Sequence, residues 1–314
     1  DTKKGILAAM QRCDIDEKLL PIKGVVNAIG RAKDQLLSPD AYAMEAGNDF
    51  RKKQIARVYE AYQQILRESN ALDFDDLIMQ TVLLLKQHAE VRESYQRRFR
   101  YVCVDEFQDT NLAQLQLTVL LSAGYKNLMV VGDDDQSIYK FRGATIENIL
   151  TFDRLFPEAK VIKLEQNYRS TQTILDAANA VISHNAGRKG KTLWTAAGEG
   201  EKIHLQLCDD QNMEARFVVD TVNRTVAAGK ATYRDFAVLY RINALGRALQ
   251  TAFVKSGVPY KVVGDLGFYE RKEVKDMIAY LSIIMYEGDN LRLKRIVNEP
   301  KRKIGGATVD AVEQ

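Results

Sequence analysis

Cysteine is scarce in this chain of 314 residues: Cys13, Cys103 and Cys208 are widely spaced, odd in number and free of any Cys-x-x-Cys pair. That excludes a disulfide framework and fits a reducing compartment. Histidine is as thin, and the scattered His88, His184 and His204 offer no ligand set for zinc. No apolar run reaches the roughly 20 residues of a membrane-spanning helix, and the first residues have neither signal-peptide nor transit-peptide character. The sequence therefore predicts a cytoplasmic chain with no membrane contact. An excess of charge is missing too. With 45 Lys and Arg against 42 Asp and Glu, the net charge is +3, so bulk charge says little about a polyanionic partner, which answers to local basic surface. No internal repeat or low-complexity linker interrupts the chain.

What is present divides by period. The first hundred residues read as helical: Ile55, Val58, Tyr59, Tyr62, Ile65 and Leu66 fall on one face, and Ser38-Pro39 supplies a cap followed by a proline in the first turn. Arg51, Lys52 and Lys53 form a basic face there, more readily a solvated helix face than a DNA contact. Asp73, Asp75 and Asp76 sit where the dipole of a helix start favours acids. From residue 100 short apolar runs at 101–104 and 127–132 flank a helix through Leu112, Leu115, Leu117 and Leu120, a strand–helix–strand unit that predicts a parallel sheet. A second sheet is expected from 160–164, 202–207, 235–241 and 260–263, with a helix face of Ile174, Leu175, Ala178, Val181 and Ile182. After Gly264 the chain turns helical again.

Both strands of the first unit deliver polar groups at their carboxyl ends. Tyr101-Val-Cys-Val-Asp-Glu-Phe-Gln-Asp-Thr110 ends in Asp105 and Glu106, and Val130-Val-Gly-Asp-Asp-Asp-Gln136 ends in acids and an amide. Ligands of open α/β sheets bind outside such strand ends. An Asp there can hold Mg²⁺ while the next carboxylate accepts a proton from the water that attacks a γ-phosphate. A bare Asp-Glu pair is more often an acidic turn leaving the core, so the longer pattern matters.

Asp105-Glu-Phe-Gln-Asp-Thr-Asn111, Gln136-Ser-Ile-Tyr-Lys-Phe-Arg-Gly-Ala144 and Glu165-Gln-Asn-Tyr-Arg-Ser-Thr171 together resemble motifs II, III and IV of the UvrD/Rep/PcrA family of superfamily 1 helicases. The likeness extends through residues 72–77, 238–243 and 268–273 and is strongest to the PcrA-like branch. It implies an α/β fold with portions of two RecA-like parallel-sheet motor domains and helical inserted domains: 1–97 the first insertion, 98–158 part of the first motor domain, 159–267 part of the second, and 268–314 the start of the second insertion. It implies a 3′-to-5′ helicase using ATP and Mg²⁺, acting on single-stranded and duplex DNA, with repair or replication proteins as partners.

The same resemblance assigns roles. Asp105 would hold the metal, Glu106 act as base and Gln136 sense the γ-phosphate. Tyr139 and Phe141 would stack bases, with Phe141 where the family commonly has Trp, and Arg142 would link phosphate state to the DNA groove. Tyr168 would stack adenine and Arg169 serve as the arginine finger. Lys303 replaces the first glycine of a Gly-Ile-Gly turn that touches duplex backbone. No glycine-rich phosphate loop precedes Asp105; Asn185-Ala-Gly-Arg-Lys-Gly-Lys-Thr192 begins with Asn instead of Gly and reads as a basic surface turn. The family's last motifs would follow Gln314. The chain is thus expected to be an interior piece, inactive alone. A helicase–nuclease subunit of the AddA kind and a non-hydrolysing DNA-binding module remain open alternatives.

Overall fold

The structure, a computed structural model, describes residues 2–185, 187–263, 272–286, 288–305, 308, 309 and 311. By its internal contacts the chain forms two units, residues 1–167 with 177–194 and 272–314, and residues 168–176 with 195–271.

The first unit opens on six helices: α1 (Thr2–Arg12), α2 (Ile22–Asp34), α3 (Pro39–Glu45), α4 (Phe50–Glu68), α5 (Phe74–Gln87) and α6 (Ala89–Arg98). The apolar stripe read along α4 is buried throughout and closes on Ile6, Met10, Val25 and Ile29 of α1 and α2. Each such side chain contributes about 1.5–3 kcal/mol by leaving water. Ser38 caps α3 as its sequence indicates, accepting from the Ala41 amide at 3.1 Å, with Pro39 behind it. Arg51, Lys52 and Lys53 are exposed.

At the start of α5 the acids do more than answer a dipole. Asp73 and Asp76 form a reciprocal capping box and also receive Lys33 of α2, which is 1 % exposed, at 2.6 and 2.9 Å. The Tyr62 hydroxyl donates to Asp73 at 3.0 Å and the Gln63 amide to Asp76 at 3.2 Å. Desolvation would raise the Asp73 carboxyl, but the Lys33 charge and these hydrogen bonds hold it below the usual carboxylate range.

Next come β1 (Val102–Val104), α7 (Leu112–Ser122) and β2 (Leu128–Val130). The strands pair in parallel, Val102 opposite Leu128 and Val104 opposite Val130. Asn111 caps α7 in a second reciprocal box with Gln114. Short helices α8 (Glu147–Leu150) and α9 (Phe152–Leu155) follow, then α10 (Gln172–Ile182), α11 (Gln211–Ala227), α12 (Gly246–Lys255), α13 (Lys272–Met285) and α14 (Asn290–Ile296). No described helix is long and apolar enough to cross a membrane.

The expected second sheet is not formed among the described residues. Segments 160–164, 202–207, 235–241 and 260–263 make no ladder, and the nearest pairing is an isolated parallel bridge between Gln166 and Trp194. The physical reason is visible in the side chains: Ile162, Leu164, Leu205, Leu207 and Leu239 are 69–94 % exposed. A strand is held by its ladder and a covered face, and these have neither. The helix expected after Arg169 is present as α10, yet of its apolar face only Leu175 is buried. The core of the second unit is instead helical, Ala215, Val219 and Val222 of α11 against Leu249 and Phe253 of α12. Residues 264–271, including most of the 268–273 segment, lie outside the described residues.

Candidate functional site

Where β1 ends, Asp105 and Glu106 are both exposed. Glu106 takes a left-handed conformation, φ 50° and ψ 41°, which for a residue with a Cβ costs on the order of 1 kcal/mol. The next residues enforce it. Phe107 is fully buried, packs edge-on to Phe152 at 5.4 Å between ring centroids, and donates its amide to the Val131 carbonyl at 2.9 Å. The chain must therefore turn sharply within the acidic pair. Asp105 Oδ1 accepts from the Glu106 amide at 2.9 Å, and the Gln108 side chain donates to Glu106 Oε2 at 2.8 Å.

Gln108, 1 % exposed, joins the two strand ends. Its Oε1 accepts from the Asp133 amide at 2.9 Å, so one buried amide touches both Glu106 and the loop after β2. Gly132 makes room for it: a Cβ there would lie 2.6 Å from Gln108 Oε1 and 2.8 Å from Ile149. Nothing in the spacing of acids singles out Gln108, although it stands inside the Asp105–Asn111 motif. Asp109 places Oδ1 in the interior without a hydrogen-bond partner among the described residues. Desolvation, then the charge of Glu106, raises its carboxyl above the ordinary range.

On the second loop Gln136 is exposed and donates to Asp133 Oδ2 at 2.8 Å. Desolvation would raise Asp133, but hydrogen bonds from Lys191 and Gln136 hold it below its usual value. Three residues on, Tyr139 and Phe141 are 38 and 68 % exposed, with centroids 5.9 Å apart, and the Arg142 guanidinium lies 5.2 and 5.6 Å from the two rings. Two rings and a cation on the surface offer π faces that core aromatics do not. Gly143 ends the turn at φ +87°, where a Cβ would collide with the Asp34 carboxylate. Asp34 also accepts from Asn111 Nδ2 at 2.6 Å.

A UvrD/REP helicase N-terminal domain model matches residues 2–157, and a UvrD-like helicase C-terminal domain model matches residues 162–314. The chain belongs to the UvrD/Rep helicase family. It is 47 % identical, over 313 residues and its whole length, to the ATP-dependent DNA helicase PcrA of Staphylococcus aureus strain NCTC 8325. The same identity holds to the PcrA of Staphylococcus epidermidis strain ATCC 12228. In each case the chain spans 43 % of the relative's length.

Within this chain, Asp105, Glu106, Gln136, Tyr139, Phe141 and Arg142 belong to the first unit and are grouped around Gln108 and the loop after β2. Tyr168 and Arg169 belong to the second unit. Both are exposed, immediately ahead of α10. The basic turn around residue 188 is not a free surface feature, because its side chains close on the three acids before Gln136. Lys303 adopts φ +59°, the conformation a glycine would supply at no cost. Asn298 pins the turn, donating to the Ile304 carbonyl at 2.6 Å and accepting from its amide at 3.1 Å. Gly306 lies outside the described residues.

Proposed function

We propose that this chain carries the hydrolytic and strand-stacking loops of an ATP-dependent helicase that moves 3′ to 5′ on single-stranded DNA and unwinds duplex in cytoplasmic DNA repair or replication. The observation that carries the reading is the link through Gln108, which ties the exposed acids after β1 to the exposed Gln136 loop after β2. Domain roles follow the family: 1–97 a helical insertion, 98–158 part of one RecA-like motor domain, 159–267 part of a second, and 268–314 the start of another insertion.

Asp105 offers hard carboxylate oxygens at the solvent side, the donor type Mg²⁺ prefers, so the residues present fit that ion. When bound, Mg²⁺ neutralises charge on the β- and γ-phosphates of ATP. Glu106, aimed by its left-handed backbone and held through one oxygen by Gln108, accepts the proton of the attacking water. Gln136 reads the γ-phosphate, Arg169 supplies the finger that neutralises the transferring group, and Tyr168 stacks the adenine. Tyr139 and Phe141 stack single-stranded bases, Arg142 links their loop to phosphate state, and Lys303 meets duplex backbone.

The test is Glu106→Gln in the full-length protein. Turnover on single-stranded DNA should fall by about 10²–10⁴-fold, while nucleotide and DNA binding persist, since shape is kept and only the proton acceptor is lost. Near-normal turnover would remove Glu106 from the chemistry.

A further inference from the structure

Three consecutive carboxylates, Asp133, Asp134 and Asp135, lie with oxygens within 4.8 Å of one another immediately before Gln136. Left alone, such a trio would repel itself and any approaching phosphate. The turn at residues 188–191 answers it. Arg188 meets Asp135 with a two-pronged contact, Nε to Oδ1 at 2.7 Å and Nη2 to Oδ2 at 2.5 Å, and braces its own turn by donating to the Lys191 carbonyl at 3.2 Å. The Lys189 amide donates to Asp134 Oδ2 at 2.7 Å. Lys191 Nζ bonds Asp133 Oδ1 and stands 3.9 and 3.8 Å from Asp134 and Asp135. The Arg188, Lys191 and Asp133–Asp135 side chains are only 11–22 % exposed, so these charges are partly desolvated and each depends on its partner.

Asp133 is the shared element. One of its oxygens takes Lys191 and the other takes the Gln136 side chain at 2.8 Å. With Oδ1 committed to Lys191, the carboxylate cannot rotate without breaking an ion pair, so Oδ2 stays where it holds Gln136. We propose that Arg188 and Lys191 are positioning residues for Gln136: they set the acidic turn that aims its amide, and touch no substrate themselves. The inference rests on the reading of Gln136 as the γ-phosphate sensor. It gives the turn at 188–191 a part in hydrolysis that its imperfect match to a phosphate loop does not.

The test is steady-state ATP turnover by the full-length protein on single-stranded DNA, for Lys191→Ala, Arg188→Ala, Gln136→Ala and the double variant Lys191→Ala/Gln136→Ala. Loss of an orienting partner behind a reacting group typically costs 10–100-fold, so kcat for Lys191→Ala and Arg188→Ala should fall at least about tenfold with KM for ATP nearly unchanged. Arg188→Lys, which keeps the charge but loses the fork, should recover part of the rate. The deciding readout is the cycle: once Gln136 is absent, losing Lys191 should cost nothing more. Unchanged kcat in the single variants, or additive losses in the double, would overturn the proposal. Normal turnover by Gln136→Ala would overturn the sensor assignment itself, and the positioning role with it. Should Lys191→Ala fail to fold, Lys191→Gln and Arg188→Lys in the same cycle decide between the same two outcomes.

Discussion

Asp34→Asn is expected to stabilise the chain at neutral pH and to lose that advantage in acid. Asp34 ends α2 half-buried. Desolvation, then the charge of Asp75, raises its carboxyl from 3.8 to about 6, with the Asn111 hydrogen bond opposing them. Folding therefore disfavours the charged form. The displacement corresponds to about 3 kcal/mol, which partial solvent access screens to about 1–2 kcal/mol. Above the folded value the destabilisation is complete. As pH falls from about 6 to 3.8, the folded chain takes up the proton before the unfolded chain does, and the cost fades; below 3.8 both forms are neutral. Asn removes the charge at every pH and keeps an oxygen for Asn111 Nδ2, now 2.6 Å from Asp34 Oδ1. The gain should be about 1–2 kcal/mol near pH 7.5 and vanish near pH 4. Urea unfolding at both pH values, followed by far-UV circular dichroism, reads it directly. A pH-independent difference, or a loss of stability at neutral pH, would refute the reasoning.

Lys33→Met should cost about 3–5 kcal/mol, because it leaves Asp73 and Asp76 buried without a countercharge; a thermal melt that barely moves would contradict the ion trio. Gly132→Ala should destabilise by about 1–3 kcal/mol, since the new methyl meets Gln108 and Ile149, and a neutral result in denaturant unfolding would mean that the Gln108 bridge yields easily. Phe141→Ala in the full-length protein should weaken single-stranded DNA binding by roughly 5- to 150-fold through a lost stack of about 1–3 kcal/mol. The salt slope of binding should stay unchanged; unaltered affinity with a large drop in melting temperature would make the ring structural.

The features legible in the sequence are those decided locally. The α4 stripe, the Ser38 cap and the two strands around α7 each follow from residues a few positions apart, and all are present. The acids and amide at the strand ends are legible because chain direction alone places them. The connections between them are not. Gln108 reaches Asp133 across 25 positions, Lys33 reaches Asp73 across 40, and Lys191 reaches Asp133 across 58. Such contacts depend on which surfaces the fold brings together, which no local period encodes. The apolar segments between 160 and 263 show the converse. Their alternation is readable, but a strand needs neighbours, and among the described residues Leu205, Leu207 and Leu239 face solvent. Helix α11 escapes the sequence reading although Asp210 caps it by accepting from Asn212 and Met213, and Ala215, Val219 and Val222 keep its period; the strand-like alternation on either side is the stronger local signal.

The loop from Asp133 to Gly143 suggests how one end of the site could inform the other. At its start Asp133 is fixed by Gln108 through its backbone and by Lys191, Gln136 and the Asp135 amide through its carboxylate. At its end Gly143 is fixed by its left-handed turn and the close approach of Asp34, itself bonded to the cap of α7. Between these anchors run two tight turns, residues 134–136 and 140–142, and along the segment the side chains of Gln136, Tyr139, Phe141 and Arg142 are exposed. A segment held through Asp133, Asp134 and Asp135 at one end and at Gly143 at the other cannot translate freely. A demand on Gln136 must be met by rotation within the segment, and the aromatic pair lies three and five positions further on. If Gln136 leaves Asp133 for a phosphate, the first turn loses a hydrogen bond while the second keeps its cation–π contacts, so the rings move as a unit with Arg142. This predicts that Arg142→Ala, which frees the two rings from their common cation, leaves ATP turnover on single-stranded DNA largely intact while lowering the base pairs unwound per ATP in the full-length protein. Equal losses in both measurements would show that the loop does not transmit in this way.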